Sequence, residues 1–322
     1  MFDEKDLLVE AKHITRRFPT ASGRELVACN DVNLKLYKGK TLGLVGESGC
    51  GKSTFMRFLV WLDRPSEGEI WYRGEDITRI KGAHLHDMRQ HIQMVFQDPT
   101  TSFNPKMKVR DIVCEPLLNY GKIKRSERDA KARELLRMVE LPEDFADRFP
   151  HNMSGGQRQR VAIARALALE PEIIAMDEAT SALDVSVQET IIELITKLQR
   201  EKNLTICFVC HNLGLIQSFA HQIAVMYLGN VVEVMPGDRM EEVCCHPYSR
   251  ALINSVFDTK MDFSKKIEPI KGEPPSPLDV PRGCPFQDRC DKCMPICKEK
   301  KPVLTEMEPG HEIACHLFGK EA

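Results

Sequence analysis

The sequence predicts an α/β fold with a largely parallel sheet over residues 1–235, followed by a C-terminal region, 236–322, of different composition. Short, continuous apolar runs have the length of strands covered on both faces, and helix-period segments alternate with them. Five prolines between residues 271 and 285 predict an extended linker that leads into a short cysteine-rich tail. The strand candidates are Thr41–Val45, Ile92–Phe96, Ile173–Met176, Thr205–Cys210 and Ile223–Tyr227.

Helices are predicted between and after these strands. The third helix candidate carries apolar residues on one face, and Ser186 and Glu189 have the spacing of a capping box at its start. Residues 98–150 contain charged helical patterns and are predicted to form an inserted helical lobe. The prolines predicted to break that lobe are Pro99, Pro105, Pro116 and Pro142. The helix candidates are Lys52–Leu62, Gln157–Leu169 and Val187–Leu198.

Composition and charge restrict the class of protein. The chain has 322 residues, 42% of them hydrophobic and 29% charged, with a formal net charge of −2, so no basic surface for nucleic acid is indicated. It shows neither a signal peptide at its start nor the ~20 apolar residues of a spanning helix, and we expect a soluble, cytosolic chain. Twelve cysteines therefore favour free thiols and a metal or redox site over disulfides.

A phosphate-binding loop is predicted where an apolar strand leads through GESGCGKST into a helix. Glycines let successive backbone N–H groups point at an anion, and the N-terminus of the following helix adds positive potential. Lys52 is expected to pair with β- and γ-phosphates and Ser53 to place its hydroxyl on Mg²⁺. A glycine-rich turn with an unrelated lysine is the alternative. The nucleotide-binding candidates are Gly46, Glu47, Ser48, Gly49, Cys50, Gly51, Lys52, Ser53 and Thr54.

Two acids follow the strand candidate Ile173–Met176. Asp177 is expected to orient Mg²⁺, and Glu178, one residue further, to polarise the attacking water as a general base. Solvated strand-end acids are the alternative, but two acids directly after an apolar run in a chain with a phosphate-binding loop favour nucleoside triphosphate hydrolysis.

A second anion-binding site is predicted at MSGGQ, residues 153–157, because Ser154, Gly155 and Gly156 precede an amphipathic helix. The phosphate loop already supplies one binding site for the γ-phosphate of the chain's own nucleotide. This second site is therefore expected to hold ATP bound by a partner subunit. A serine N-cap with two flexible glycines is the alternative.

Together these motifs resemble the ABC transporter ATPase family over residues 7–235. The match runs in order through the phosphate loop, VFQDP, MSGGQ, the strand-end acids, SALD and FVCHN. The resemblance implies a P-loop NTPase fold with a RecA-like core, a helical subdomain and an antiparallel β-subdomain. It also implies that Met153, Ala179 and Asn212, which replace more frequent residues, leave the catalytic groups intact.

Several site roles follow only from this resemblance. Gln97 is expected to sense Mg²⁺ and γ-phosphate, and His211 to contact the γ-phosphate and hold Glu178 and the water. Phe18 is expected to stack on adenine, with a core phenylalanine as the alternative. The signature residues through Gln157, together with Asp184 of SALD, are expected at the dimer interface.

The C-terminal region resembles that of oligopeptide and dipeptide importer ATPases through HPYSRALI, GCPF and EPGHEIACH. The resemblance implies an ATP-hydrolysing "F" subunit that pairs with a homologous "D" subunit and two permeases at the cytoplasmic face of the membrane. A binding protein would deliver di- or oligopeptides; oligosaccharide, nickel and glutathione remain alternative cargoes. A soluble ABC ATPase acting on nucleic acid or ribosomes is disfavoured because residues 53–154 contain no sustained heptads and the chain has one ATPase unit.

In the resembling family, cysteines spaced as Cys284, Cys290, Cys297 and Cys315 hold a [4Fe–4S] cluster. Cys293 is additional, and a zinc site with four cysteine ligands or a tail without metal are alternatives. The remaining cysteines in or near predicted core segments are expected to act as small hydrophobic residues. They are Cys29, Cys50, Cys114, Cys207 and Cys210.

Overall fold

A computed structural model describes residues 2–254, 270 and 272–319. Its strands are β1 (Leu7–Pro19), β2 (Glu25–Tyr37), β3 (Thr41–Val45), β4 (Glu67–Tyr72), β5 (Glu75–Asp76), β6 (Ile92–Val95), β7 (Ile173–Asp177), β8 (Thr205–Val209), β9 (Gln222–Tyr227), β10 (Asn230–Pro236), β11 (Thr305–Glu308) and β12 (His311–Ile313). Its helices are α1 (Lys52–Leu59), α2 (Gly82–His91), α3 (Pro99–Ser102), α4 (Val109–Asn119), α5 (Arg128–Met138), α6 (Gly155–Leu167), α7 (Val185–Lys202), α8 (Leu213–Gln217), α9 (Met240–Val243), α10 (Pro247–Asn254) and α11 (Pro295–Glu299).

The described residues divide into two compact units, 1–79 with 209–322 and 80–208. The first unit contains an antiparallel sheet in the order β2-β1-β4-β5 and the strands β11-β12-β10-β9-β3. Strands β3 and β9 run parallel, whereas β9, β10, β12 and β11 pair antiparallel. Every residue of β3, β9 and β10 is buried, which explains why these strands are nearly continuous apolar runs rather than alternating ones.

The second unit combines parallel strands with a helical lobe. β6 and β7 pair in parallel, with β8 next to β7. Helices α4, α5 and α6 pack against one another, and their apolar faces form the core of the lobe. The predicted break at Pro116 is wrong, because this proline lies inside α4, only three residues before the helix ends.

The predicted strands and helices are present, and their ends shift by a few residues. α1 stops at Leu59, short of the predicted Leu62, because Trp61 adopts a positive φ of 53° that a helix cannot continue. α7 begins at Val185 with Asp184 as N-cap, so the capping box predicted from Ser186 and Glu189 is wrong; both residues lie inside the helix.

The C-terminal region belongs to the first unit and joins its sheet through strands of its own. β12 pairs with β10, with Glu233 opposite Ile313. The proline-rich segment, described from residue 272 because Lys271 lies outside the described residues, runs along β2: the Val27 amide donates to the Pro277 carbonyl at 3.0 Å. This segment is thus held against the sheet along part of its length. Within the described part of the chain, no helix is long and apolar enough to cross a membrane.

Candidate nucleotide-binding site

The phosphate loop follows directly from the end of β3 and leads into α1. All three of its glycines adopt positive φ, at 146° for Gly46, 76° for Gly49 and 106° for Gly51. Gly51 is the N-cap of α1 and makes no side-chain cap hydrogen bond, so the loop leads directly into the N-terminus of this helix. A chain curled in this way presents backbone N–H groups to an anion.

Glycine is required at two of these positions because the loop is packed against backbone from behind. A Cβ on Gly46 would lie 2.1 Å from the Met226 carbonyl oxygen, and one on Gly51 would lie 2.2 Å from the Ala28 carbonyl oxygen. At Gly49 a Cβ would meet nothing within 4 Å. The closed side of the loop therefore rests on β2 and β9, whereas Ser48 and Gly49 are exposed on the open side.

Lys52 is the only charged residue of the loop that is almost fully buried, at 4% exposure. Its ammonium donates to the carbonyl oxygens of Gly46 at 2.8 Å and Glu47 at 2.9 Å. It also lies 3.6 Å from the Cys50 sulfur. A buried ammonium held by neutral carbonyls and a thiol keeps its positive charge, so the loop attracts an anion. Behind it, burial raises the pKa of the Cys50 thiol, although the Lys52 ammonium acts in the opposite direction.

Ser53 and Thr54, in the first turn of α1, are half-buried. His211 is exposed and follows β8, where the Cys210 amide donates to the Leu44 carbonyl at 3.1 Å. The segment that leads to His211 therefore runs beside the end of β3, which also leads into the phosphate loop. Phe18 is half-buried, with the Arg16 guanidinium 4.4 Å from its ring centroid, so it is not a core phenylalanine.

In the second unit, Asp177 ends β7 and Glu178 follows with a positive φ of 48°. Such a backbone conformation is uncommon for a glutamate and occurs preferentially at functional sites. Gln97 Nε2 donates to Ser181 Oγ at 3.3 Å, and that hydroxyl donates to the Glu178 carbonyl at 3.0 Å. The structure thus joins Gln97 to the Glu178 turn through Ser181.

The MSGGQ segment forms the N-terminus of α6, two residues earlier than predicted. Ser154 Oγ accepts from the Gln157 amide at 3.3 Å, and Gln157 Oε1 accepts from the Ser154 amide at 3.0 Å, which completes a capping box. Ser154 is exposed, whereas Met153 is buried. A Cβ on Gly156 would lie 2.6 Å from Val187 Cγ1, so this glycine allows α7 to approach α6 closely.

Two residues that touch the phosphate loop were missed from the sequence. Arg289 binds both oxygens of the Glu47 carboxylate, at 2.8 and 3.0 Å, and the Tyr248 hydroxyl accepts from the Glu47 amide at 3.0 Å. Tyr248 belongs to the HPYSRALI motif, which marked the segment but not its contact. Arg289 lies 242 residues from Glu47 and gave no local signal.

The predicted metal centre at Cys284, Cys290, Cys297 and Cys315 is not supported. Among the residues that the structure describes, no group of three or more His, Cys, Asp or Glu side chains is placed to hold a metal ion. Burial raises the pKa of Cys284 to about 12 and that of Cys290 to about 11. Metal analysis of the purified chain is the deciding measurement.

The five cysteines predicted to act as small hydrophobic residues agree with that prediction. All five are buried, and burial raises the pKa of Cys29 to about 12 and that of Cys114 to about 11. They behave as small apolar side chains. The five are Cys29, Cys50, Cys114, Cys207 and Cys210.

The fold and the phosphate loop define an ATP-binding cassette, and comparison with known proteins agrees. The family model "ABC transporter" matches residues 29–181, and the model "Oligopeptide/dipeptide transporter, C-terminal region" matches residues 232–297. The chain belongs to the ATP-binding proteins of ABC transporters and is an ATPase of that family.

Relatives match along almost the whole chain. The oligopeptide transport ATP-binding protein AppF of Bacillus subtilis is 44% identical over 98% of both chains, and OppF of Salmonella typhimurium is 38% identical over 98% of this chain and 97% of its own. Among solved structures, a dimeric post-hydrolysis state of the cassette MJ0796 bound to ADP and Pi has a TM-score of 0.65. It is 34% identical and covers 71% of this chain and 98% of its own.

Proposed function

We propose that this chain is the ATP-hydrolysing subunit of an importer for di- or oligopeptides. The observation that carries the proposal is Lys52, which is buried in the phosphate loop and donates to the neutral backbone carbonyls of Gly46 and Glu47 and to the Cys50 thiol. ATP is the anion that satisfies such a site in an ABC cassette. The matches to the oligopeptide/dipeptide C-terminal region and to AppF and OppF support peptides as cargo over oligosaccharide, nickel or glutathione.

In this proposal the loop amides and Lys52 hold the phosphates, and the half-buried Phe18 stacks on adenine. Ser53, Gln97 and Asp177 would hold Mg²⁺, which would supply neutralisation of phosphate charge. The positive φ of Gly46, Gly49 and Gly51, which curls the loop so that its backbone N–H groups can face an anion, supports a fit to triphosphate. These roles match the order of the family's motifs in the sequence.

Hydrolysis is assigned to Glu178 and His211. Glu178 accepts a proton from water as the water oxygen attacks the γ-phosphorus, and the bond to ADP breaks as phosphate forms. His211 orients the water and the γ-phosphate. The positive φ of Glu178 and its link through Ser181 to Gln97 support a turn that is held in one conformation for this task.

A second, homologous ATPase subunit is proposed as partner. The γ-phosphate of ATP held by the partner's phosphate loop would be bound by Ser154, Gly155 and Gly156. Asp184 would lie at the same interface. The exposure of Ser154 at the capped start of α6 supports this role, since the helix end is complete without a ligand from its own chain. ATP then closes the pair and hydrolysis reopens it.

The remaining components follow from the same assignment. Residues 1–235 form the nucleotide-binding domain, in which 98–150 belong to the subdomain that docks on two permeases at the cytoplasmic face of the membrane. Residues 236–322 form the C-terminal region. An external binding protein delivers the peptide, so this chain does not contact the cargo.

Replacement of Glu178 by Gln tests the proposal. In the assembled transporter, we expect ATP turnover to fall about a thousandfold while ATP binding persists, because the amide cannot accept the proton. Glu193→Gln, which alters an exposed acid of α7, serves as the matched control. Wild-type turnover in the Glu178→Gln variant would overturn the assignment of the base.

Cargo is tested by reconstitution with the permeases and binding protein in vesicles. We expect peptides of two to five residues to stimulate ATP turnover, and oligosaccharides, glutathione or nickel to leave it at the basal rate. Stimulation by one of these other compounds and not by peptides would contradict the proposed cargo while leaving the ATPase assignment intact.

A further inference from the structure

The contact between the C-terminal region and the phosphate loop has a functional consequence. We propose that Arg289 and Tyr248 are positioning residues for ATP binding, which act through Glu47 of the phosphate loop. The inference rests on the proposed ATP site and extends it to a part of the chain that lies outside the nucleotide-binding motifs.

Glu47 is fixed through all three of its polar groups. Its amide donates to the Tyr248 hydroxyl at 3.0 Å, its carbonyl accepts from Lys52 at 2.9 Å, and its carboxylate binds Arg289 at 2.8 and 3.0 Å. Since Lys52 is held by the same residue, any displacement of Glu47 also displaces the ammonium that meets the phosphates. The C-terminal region therefore fixes the first half of the loop.

The negative charge of the Glu47 carboxylate gives Arg289 a second role. A carboxylate in the phosphate loop repels a triphosphate, and the repulsion is strong where water is partly excluded. The Glu47 side chain is 25% exposed and that of Arg289 only 6%. A bidentate guanidinium neutralises the carboxylate and keeps both oxygens engaged. Although burial opposes the charged form, the hydrogen bonds that Arg289 donates to Glu47 and Tyr227 raise the pKa of its guanidinium.

Both positioning residues are themselves rigidly placed. Tyr248, Tyr227 and Phe286 form an aromatic cluster with ring centroids 4.6 to 5.3 Å apart, and Arg289 lies 5.7 Å from the Tyr227 ring centroid and 3.3 Å from its hydroxyl. Rigid aromatic contacts limit the freedom of the groups that they carry.

The fully buried carboxylate of Glu233, in β10, anchors the segment before Tyr248. It accepts from the amides of Cys245 at 2.8 Å and His246 at 3.2 Å and from His311 at 2.9 Å. His246 Nδ1 in turn accepts from the Tyr248 amide at 3.1 Å. This network transmits the position of β10 and β12 to Tyr248 and from there to Glu47.

The test is a double-mutant cycle between Glu47 and Arg289, read as the affinity of the full chain for Mg²⁺ and a non-hydrolysable ATP analogue. Arg289→Met is expected to weaken binding about tenfold, within the usual range for coupling between sites. Glu47→Gln with Arg289→Met is expected to recover affinity to within about threefold of wild type, because the uncompensated carboxylate is gone. Arg239→Met, which removes an ion pair with Glu308 elsewhere in the C-terminal region, is the control.

Two conservative variants keep the test decisive if Arg289→Met does not fold. Arg289→Lys retains charge but not the bidentate geometry and is expected to fall between wild type and Arg289→Met. Tyr248→Phe removes only the hydroxyl and is expected to weaken binding about threefold, the effect of one hydrogen bond. In turnover assays with the partner subunits, KM for ATP should rise while kcat stays within about twofold of wild type.

Additive effects of the two substitutions, or unchanged affinity with only a lower melting temperature, would overturn the inference and show that the contacts serve stability alone. Wild-type chain that fails to bind the analogue would instead contradict the proposed ATP site itself. The two failures are thereby distinguished.

Discussion

Two helix N-termini in this chain carry glycines and are assigned to phosphate, and they are built in opposite ways. α1 begins at Gly51 behind a loop whose lysine is buried and whose closed side rests on backbone of β2 and β9. α6 begins at Ser154, which is exposed and already engaged with Gln157 in a capping box. At the start of α1 the Lys52 ammonium is buried among neutral groups. At the start of α6 the Ser154 and Gln157 amides already have side-chain hydrogen-bond partners.

The difference indicates two kinds of binding. A loop that retains a buried, uncompensated ammonium gains most from a ligand within its own chain. A capped and exposed helix start is stable alone and remains available to a phosphate presented from outside. We therefore assign nucleotide affinity to the phosphate loop and nucleotide-dependent pairing to the MSGGQ segment.

The largest effect is expected from Lys52→Ala. Loss of the ammonium should lower ATP turnover about a thousandfold and abolish detectable ATP binding by the isolated chain, because the phosphates lose their buried countercharge. Calorimetric titration with Mg²⁺–ATP measures the loss of binding. Lys197→Ala, which removes an exposed pair with Glu140, is the control and should bind as wild type does. Retained affinity in Lys52→Ala would break the contrast between the two helix starts.

Replacing glycines of the phosphate loop tests whether its closed side is packed as tightly as the structure shows. Gly46→Ala should lower the free energy of unfolding by about 3 kcal/mol, since its Cβ meets the Met226 carbonyl at 2.1 Å. Gly49→Ala, with open space and only a positive φ to accommodate, should cost about 1 kcal/mol. Urea unfolding of both variants gives the comparison. Equal losses would show that the rear wall of the loop is not rigid.

Acid is expected to weaken the network that supports the loop. Burial lowers the pKa of His246 to about 4, so the unfolded chain takes up a proton below its ordinary value of 6.5 while the folded chain does not. Stability is therefore complete above that value and is lost as pH falls from 6.5 toward 4. The loss between pH 7 and 5 should be about 2 kcal/mol.

His246→Asn provides the control for this pH effect, because its amide oxygen can still accept from the Tyr248 amide but does not titrate. Unfolding by urea at pH 7 and pH 5 should show a smaller change in the variant than in wild type. As the pH falls below 4.5, Glu233 also lowers the stability of the folded chain, since its hydrogen bonds lower its pKa despite burial. An identical pH dependence in both chains would rule out His246 as the titrating group.

The smallest change in stability is expected at the other helix start. Ser154→Ala should lower the free energy of unfolding by about 1 kcal/mol through loss of the cap, and Ser154→Thr by less. ATP binding by the isolated chain should stay as in wild type, while turnover with the partner subunit falls. If Ser154→Ala weakened ATP binding by the isolated chain, the MSGGQ segment would belong to the chain's own site.

The strands and the phosphate loop were predictable because local patterns encode them. Continuous apolar runs are what buried strands such as β3 require, and a glycine-rich turn between strand and helix has few alternative conformations. Helix ends were less predictable: Trp61 and Asp184 set the ends of α1 and α7 through single backbone conformations. The cysteine spacing indicated a metal centre, but among the described residues no group of three or more side chains is placed to hold a metal ion, because spacing along the chain does not fix the geometry that ligation needs.

By itself the sequence determined the cassette fold, the order of its motifs and the identity of the phosphate loop, since each depends on residues within a few positions of one another. Only the tertiary structure decided what surrounds that loop: Ala28 and Met226 behind it, and Tyr248 and Arg289 on Glu47. Those contacts join segments up to 242 residues apart. No local periodicity or spacing records such a pairing, because it depends on where whole strands and helices place their side chains.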